Sequence, residues 1–160
     1  MRNSGQVDLH SKSGSAIGLQ LWIENAPSEN EFGAIAESVS AQVTFSKDGK
    51  PLFVPDGWWP ERIIEKEEES IRFLKRKDIG IGAREYLEIA FKFYYASSAY
   101  GVNDGSRSCD EWCNPQLELP EGSYSASVHL RGPNVDETAV ATFRNEGRSS
   151  VLRLDSPNFT

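Results

Sequence analysis

Cys109 and Cys113 enclose Asp110-Glu111-Trp112, and they are the side chains of this chain best suited to covalent or metal chemistry. Three intervening residues suit a disulfide that pins a loop, or half of a zinc site. Zinc needs two more ligands, and the only histidines are His10, near the N-terminus, and His129. The expectation is therefore two free or loop-bridging thiols, with Cys109–Cys113 as a candidate disulfide and no metal. His129 as a catalytic base would need a Ser or Cys nucleophile and an orienting carboxylate, and no Gly-x-Ser-x-Gly elbow is present, so it reads as a surface histidine. Glu65, Glu67, Glu68 and Glu69 resemble the paired carboxylates of glycoside hydrolysis, but their near-continuous run reads as a solvated segment. Asn103, Asp104, Asp110 and Glu111 offer oxygens for calcium at a spacing that is not that of an EF-hand loop.

Aromatic side chains supply the remaining candidates. Gly57-Trp58-Trp59-Pro60 places two indoles side by side. Neighbours on a strand point to opposite faces, so one Trp is expected in the core and one on the surface; the alternative is that both are exposed, as in a sugar-stacking platform or a protein hot spot. Tyr94, Tyr95 and Tyr100 lead into a loop that also carries Trp112. The candidate binding residues are thus Trp58, Trp59, Tyr95, Tyr100 and Trp112; the alternative is that they belong to sheet packing. No catalytic residue and no cofactor is assigned.

The totals restrict the function classes. One hundred and sixty residues suit one domain with its own core. A net charge of −7 opposes binding to phosphate backbones and anionic lipid, so no nucleic-acid partner is expected. No apolar run approaches the length of a transmembrane helix, and no membrane insertion is expected. The polar, Ser- and Gly-containing residues 1–15 lack the apolar segment of a signal peptide and read as a disordered leader. The chain as written reads as cytoplasmic; alternatively it is the soluble domain of a longer anchored or secreted protein.

The elements that must position the candidates alternate with period two. Tyr124, Ala126, Val128 and Leu130 oppose Ser123, Ser125, Ser127, His129 and Arg131, which is a half-buried strand. Val39, Ala41, Val43 and Phe45 alternate with polar residues before an Asp48-Gly49 turn. Ile17, Leu19, Leu21 and Ile23 share one face, with Trp22 on the other. Over Tyr86–Tyr95, strict alternation puts Leu87, Ile89, Phe91 and Phe93 on one side and Glu88, Ala90 and Lys92 on the other. Shorter strands are expected at 70–74, 138–144 and 151–154, with a basic loop at 75–82. Ser97–Gln116 is a loop of about twenty residues, a length that usually carries function or disorder. Seven to eight strands with little helix make an all-β antiparallel sandwich over residues 16–155, followed by a tail at 156–160.

Leu119, Gly122 and Tyr124 resemble the tyrosine corner that precedes the penultimate strand of immunoglobulin-like and fibronectin-III-like sandwiches. Ala126 stands where antibody domains carry their second cysteine. Val43 or Ala41 stands on the strand of the first, and Trp58 or Trp59 near the position of the core tryptophan. The resemblance covers about residues 17–154, lacks both core cysteines, and has a longer loop before the corner. It implies an Ig-like sandwich and leaves function open, because such folds host many tasks. The functional expectation is a non-enzymatic interaction module that contacts a protein partner through loop 97–116 and exposed aromatics. The alternatives are a carbohydrate-binding module using the same rings and a structural spacer domain.

Overall fold

The structure, a computed structural model, describes residues 6–11, 14–26, 33–65, 68–148 and 152–155. Among these, fourteen strands run in chain order. The first seven are β1 (Gln6–Ser11), β2 (Gly14–Glu24), β3 (Ala36–Lys47), β4 (Lys50–Phe53), β5 (Asp56–Gly57), β6 (Trp59–Glu65) and β7 (Glu68–Leu74). Then come β8 (Arg76–Ile79), β9 (Arg84–Phe93), β10 (Ala99–Gly101), β11 (Glu118–Leu119), β12 (Gly122–Gly132), β13 (Val135–Asn145) and β14 (Leu152–Asp155). One sheet has the order β1-β2-β9-β10-β11; the second has the order β14-β13-β12-β3-β4, with β5 and β8 also on β3. A separate hairpin pairs β6 with β7. The fold is all-β and antiparallel, as the alternating patterns require.

The two large sheets pack face to face. Leu19, Leu21 and Ile23 of β2 and Leu87 and Ile89 of β9 meet Val43 and Phe45 of β3, Ala126, Val128 and Leu130 of β12, and Phe143 of β13 in one buried cluster. Alternation in β2, β3 and β12 lands on this core as expected. The corner is also formed: Tyr124 Oη donates to the Pro120 carbonyl at 2.7 Å, and the ring is buried against Phe143.

Several expectations are corrected. Within the segment expected to be a disordered leader, Gln6–Ser11 pairs with β2. The expected basic loop at 75–82 contains β8, which joins the edge of β3. Val43 does not lie across the sandwich from Ala126: β3 and β12 are neighbours in one sheet, where Val43 faces Val128 and Phe45 faces Ala126. Most consequential is β9. Its pairing jumps from Leu19↔Ala90 to Gln20↔Glu88, so Ile89 is the extra residue of a bulge. One extra residue reverses the alternation beyond it. Leu87, Ile89 and Ala90 therefore reach the core, whereas Phe91 and Phe93 turn to the outer face of the five-stranded sheet. The tail at 156–160 lies outside the described residues.

Candidate functional site

The bulge creates a second apolar layer on the outside of the sandwich. Ala16, Trp58, Phe91, Phe93 and Val102 are buried there, with Phe73, Tyr100 and Cys113 packed against them. Trp58 is bridged to β9 by two backbone bonds, its N–H to the Glu88 carbonyl at 3.0 Å and the Glu88 N–H to its own carbonyl at 2.7 Å. The next residue points the other way. Trp59 lies in the central core, its Nε1–H donating to the Val39 carbonyl at 3.0 Å. The two indoles thus diverge as adjacent strand residues must, but both are buried, at 1% and 0% exposure. Neither is the surface ring expected of one of them, because the loop and the β6–β7 hairpin roof over Trp58.

The long loop is ordered by its own polar groups. The Asn103 side chain accepts from Ser106 N–H, and the Ser106 hydroxyl accepts from Asn103 N–H, a reciprocal cap on the short 3₁₀ turn Asp104–Ser108. Asn114 caps the turn Pro115–Leu117. Lys75 pairs with Asp104. Between these turns Glu111 and Trp112 both have left-handed backbone, φ 49° and 63°. That conformation is uncommon away from glycine and persists only where surrounding contacts hold it. Here the Trp112 ring meets Trp58 edge-on at 5.8 Å and Phe73 at 5.6 Å, while the Tyr95 hydroxyl donates to Glu111 Oε2. That hydrogen bond, with burial and the surrounding acidic side chains behind it, pushes the Tyr95 hydroxyl up to about 12.

Of the aromatic candidates, Tyr95 is 47% exposed and Trp112 38%, and they share the surface beside Glu111. Tyr95 stacks on Phe93 with ring centroids 5.3 Å apart. Tyr100 is half-buried beside Phe91. The candidate disulfide is not formed. Cys109 and Cys113 are free, with Cys109 Sγ donating to the Gly105 carbonyl and Cys113 Sγ to the Glu111 carbonyl. Burial, then Glu111 and Asp110, pushes the Cys113 thiol up to about 11, the wrong direction for a reactive thiolate.

Three of the four residues considered for calcium are engaged within the protein, Asn103 in its cap, Asp104 with Lys75 and Glu111 with Tyr95. Among the described residues no three His, Cys, Asp or Glu side chains gather as a metal site. Searches of protein-family models, curated proteins and solved structures find no match to this chain. His129 lies on the outer face of β12 and contacts Asp136 Oδ1 at 2.6 Å, which holds the Asp136 carboxyl below its usual range. Within the acidic run, the backbones of Glu65 and Glu68 are paired in register at the end of the β6–β7 hairpin, and Glu67 lies outside the described residues.

Two buried polar pairs escape a reading by alternation alone. Glu88, 1% exposed, accepts from Gln20 Nε2 at 2.7 Å under the Trp58 layer. Lys92, fully buried, reaches across the sandwich to Asn145 Oδ1 at 3.0 Å and to the Gly147 carbonyl. Burial lowers the Lys92 ammonium, partly offset by Glu121. The available signal was a Glu and a Lys inside the longest apolar strand, flanked by Leu87, Ile89, Phe91 and Phe93. Strict alternation assigns both to the wet face, and no wet face exists there. Among the described residues no helix is long and apolar enough to cross a membrane.

Proposed function

We propose that this chain is a non-enzymatic, immunoglobulin-like interaction module that binds a protein partner through the loop 97–116. The observation that carries this reading is that two exposed aromatic rings, Tyr95, hydrogen-bonded to Glu111, and Trp112, the residue after it, flank one loop segment. Each ring is backed by a buried ring, Phe93 and Trp58, and the loop between them is tied down by Glu111. Partly exposed Tyr and Trp on a rigid support are the usual anchors of protein interfaces, since little conformational entropy is lost on binding. Loops on a rigid sandwich are where such folds place recognition. The net charge of −7 favours a partner that is not acidic.

The Ig-like element of the proposal draws support from strand order. The runs β1-β2-β9 and β13-β12-β3-β4 follow the A-B-E and G-F-C-C′ orders of that fold, with the tyrosine corner at the start of β12. The neighbour of β9 departs from the pattern: β10 occupies the place of strand D, and the β6–β7 hairpin is inserted ahead of β9.

Photo-crosslinking from position 116, with wild type and the Tyr95→Ala/Trp112→Ala double variant, tests the reading. A protein captured by wild type and lost with the double variant is the expected result. Sugars that quench tryptophan fluorescence with no protein captured would favour the carbohydrate reading. No ligand of either kind would leave the spacer reading.

A further inference from the structure

Gln20 and Glu88 are paired residues of β2 and β9 whose side chains lie buried together on the outer face of the sheet. Gln20 Nε2 donates to Glu88 Oε2, and the second oxygen of each group, Gln20 Oε1 and Glu88 Oε1, has no hydrogen-bond partner among the described residues. The two orphans are complementary. A carboxylate has no proton to give, so two facing oxygens repel; a carboxylic acid has one O–H, and a carboxamide oxygen accepts it. An acid and an amide joined at one N–H···O bond need only that O–H to close an eight-membered ring in which both orphans are satisfied. The floor is cut to fit the group: a Cβ on Gly18 would stand 2.5 Å from Glu88 Oε1.

We propose that Glu88 is a carboxylic acid in the folded protein, its Oε1–H donated to Gln20 Oε1, and that this proton is a latch holding the Trp58 layer on the sheet. When a base in solution takes the proton, the O–H bond breaks, the ring opens and a carboxylate remains under Trp58. A buried carboxylate requires water or a cation. Neither is supplied by Gly18 and Gln20 of β2 or by the layer above them, where Trp58 offers a single indole N–H, Phe91 and Phe73 are apolar, and burial keeps the Cys113 thiol protonated.

The described charged side chains on these elements are turned elsewhere. Glu24 pairs with Arg84, Glu61 with Arg72, Lys77 of β8 with Glu85 of β9, and Lys92 points through the opposite face to Asn145. Asp56 is exposed on β5. Burial accordingly pushes the Glu88 carboxyl up to about 8, opposed only by the Gln20 hydrogen bond. Water therefore enters by lifting Trp58, and the Trp112 and Phe73 rings that rest on it, away from β9. This is a local opening that leaves the central core intact. The latch stands whether or not the surface above it binds a protein.

Amide hydrogen exchange reads the latch directly, through the Trp58 and Glu88 N–H groups that bond each other's carbonyls. Between the ordinary carboxyl value of 4.5 and about 8 the open, ionised state gains about tenfold per pH unit, and above about 8, where the closed state is ionised too, it gains no more. The protection factors of both amides should therefore fall about tenfold between pH 6 and pH 7 in the wild-type chain and level off above about pH 8. Amides of β12 should keep theirs. In Glu88→Gln a second carboxamide closes the same ring with no titrating proton, and protection should stay constant. Constant protection in wild type, or the same loss in Glu88→Gln, overturns the proposal. Should the variant fail to fold, the ¹³C shift of the Glu88 carboxyl in wild type decides: a midpoint near pH 8 upholds the latch, and one in the ordinary carboxyl range overturns it.

Discussion

Asn145→Ala should be among the most damaging single substitutions in this chain. Asn145 is fully buried at the end of β13, where it joins four separate segments. Its Nδ2 donates to the Ser97 carbonyl at 2.8 Å and the Leu119 carbonyl at 3.0 Å, while its Oδ1 accepts from Lys92 Nζ at 3.0 Å and from Gly147 N–H at 3.2 Å. Alanine removes all four bonds and takes an acceptor from a buried ammonium. A buried polar group left unsatisfied costs roughly 1–3 kcal/mol, and breaking a buried charged contact from one side costs roughly 3–5 kcal/mol. The contributions overlap, so about 4 kcal/mol is expected, a large part of a typical domain's stability. Lys92→Met removes the charge itself, keeps the volume and leaves Asn145 its three other bonds, so about 1–2 kcal/mol is expected. Urea unfolding followed by tryptophan fluorescence measures both, with unchanged m-values expected. The reasoning fails if Asn145→Ala costs under about 1 kcal/mol, or if Lys92→Met proves the worse of the two.

Tyr124→Phe should lose the Pro120 hydrogen bond while keeping the ring, at about 1–2 kcal/mol by thermal unfolding; an unchanged melting point would mean the corner bond contributes nothing. Stability should fall as pH rises from about 4.5 to about 8, because the folded chain keeps the Glu88 proton that the unfolded chain releases. The stabilisation is complete below the ordinary carboxyl value of 4.5 and is lost as pH passes through about 8, roughly 5 kcal/mol in all, whereas Glu88→Gln should remove this component from its pH–stability profile. Thiol titration of the native protein without reductant should count two free thiols, Cys109 and Cys113; a count of zero would mean that the loop closes a disulfide.

The central core and the corner were legible because each depends on local pattern. Alternation in β3 and β12 needs only neighbours two residues apart, and the Tyr124 hydroxyl bonds a carbonyl four residues upstream. What escaped was decided by pairing between distant segments. The Ile89 bulge exists only in the register of β9 against β2, and a period-two pattern cannot show where one extra residue will be absorbed. Everything on the outer face follows from it: Phe91 and Phe93 turned outward, Trp58 roofed over, Glu88 sealed against Gln20. Likewise Lys92 reads as a solvent-facing lysine until the fold brings Asn145 to it from 53 residues away.

The sequence by itself determined an all-β chain with alternating strands, a tyrosine corner and one long polar loop, since side-chain hydrophobicity and local backbone preference are properties of neighbouring residues. Only the tertiary structure decided which aromatic rings remain at the surface. Exposure depends on what the other segments cover, and here they cover Trp58 and Trp59 and leave Tyr95 and Trp112 partly open to solvent.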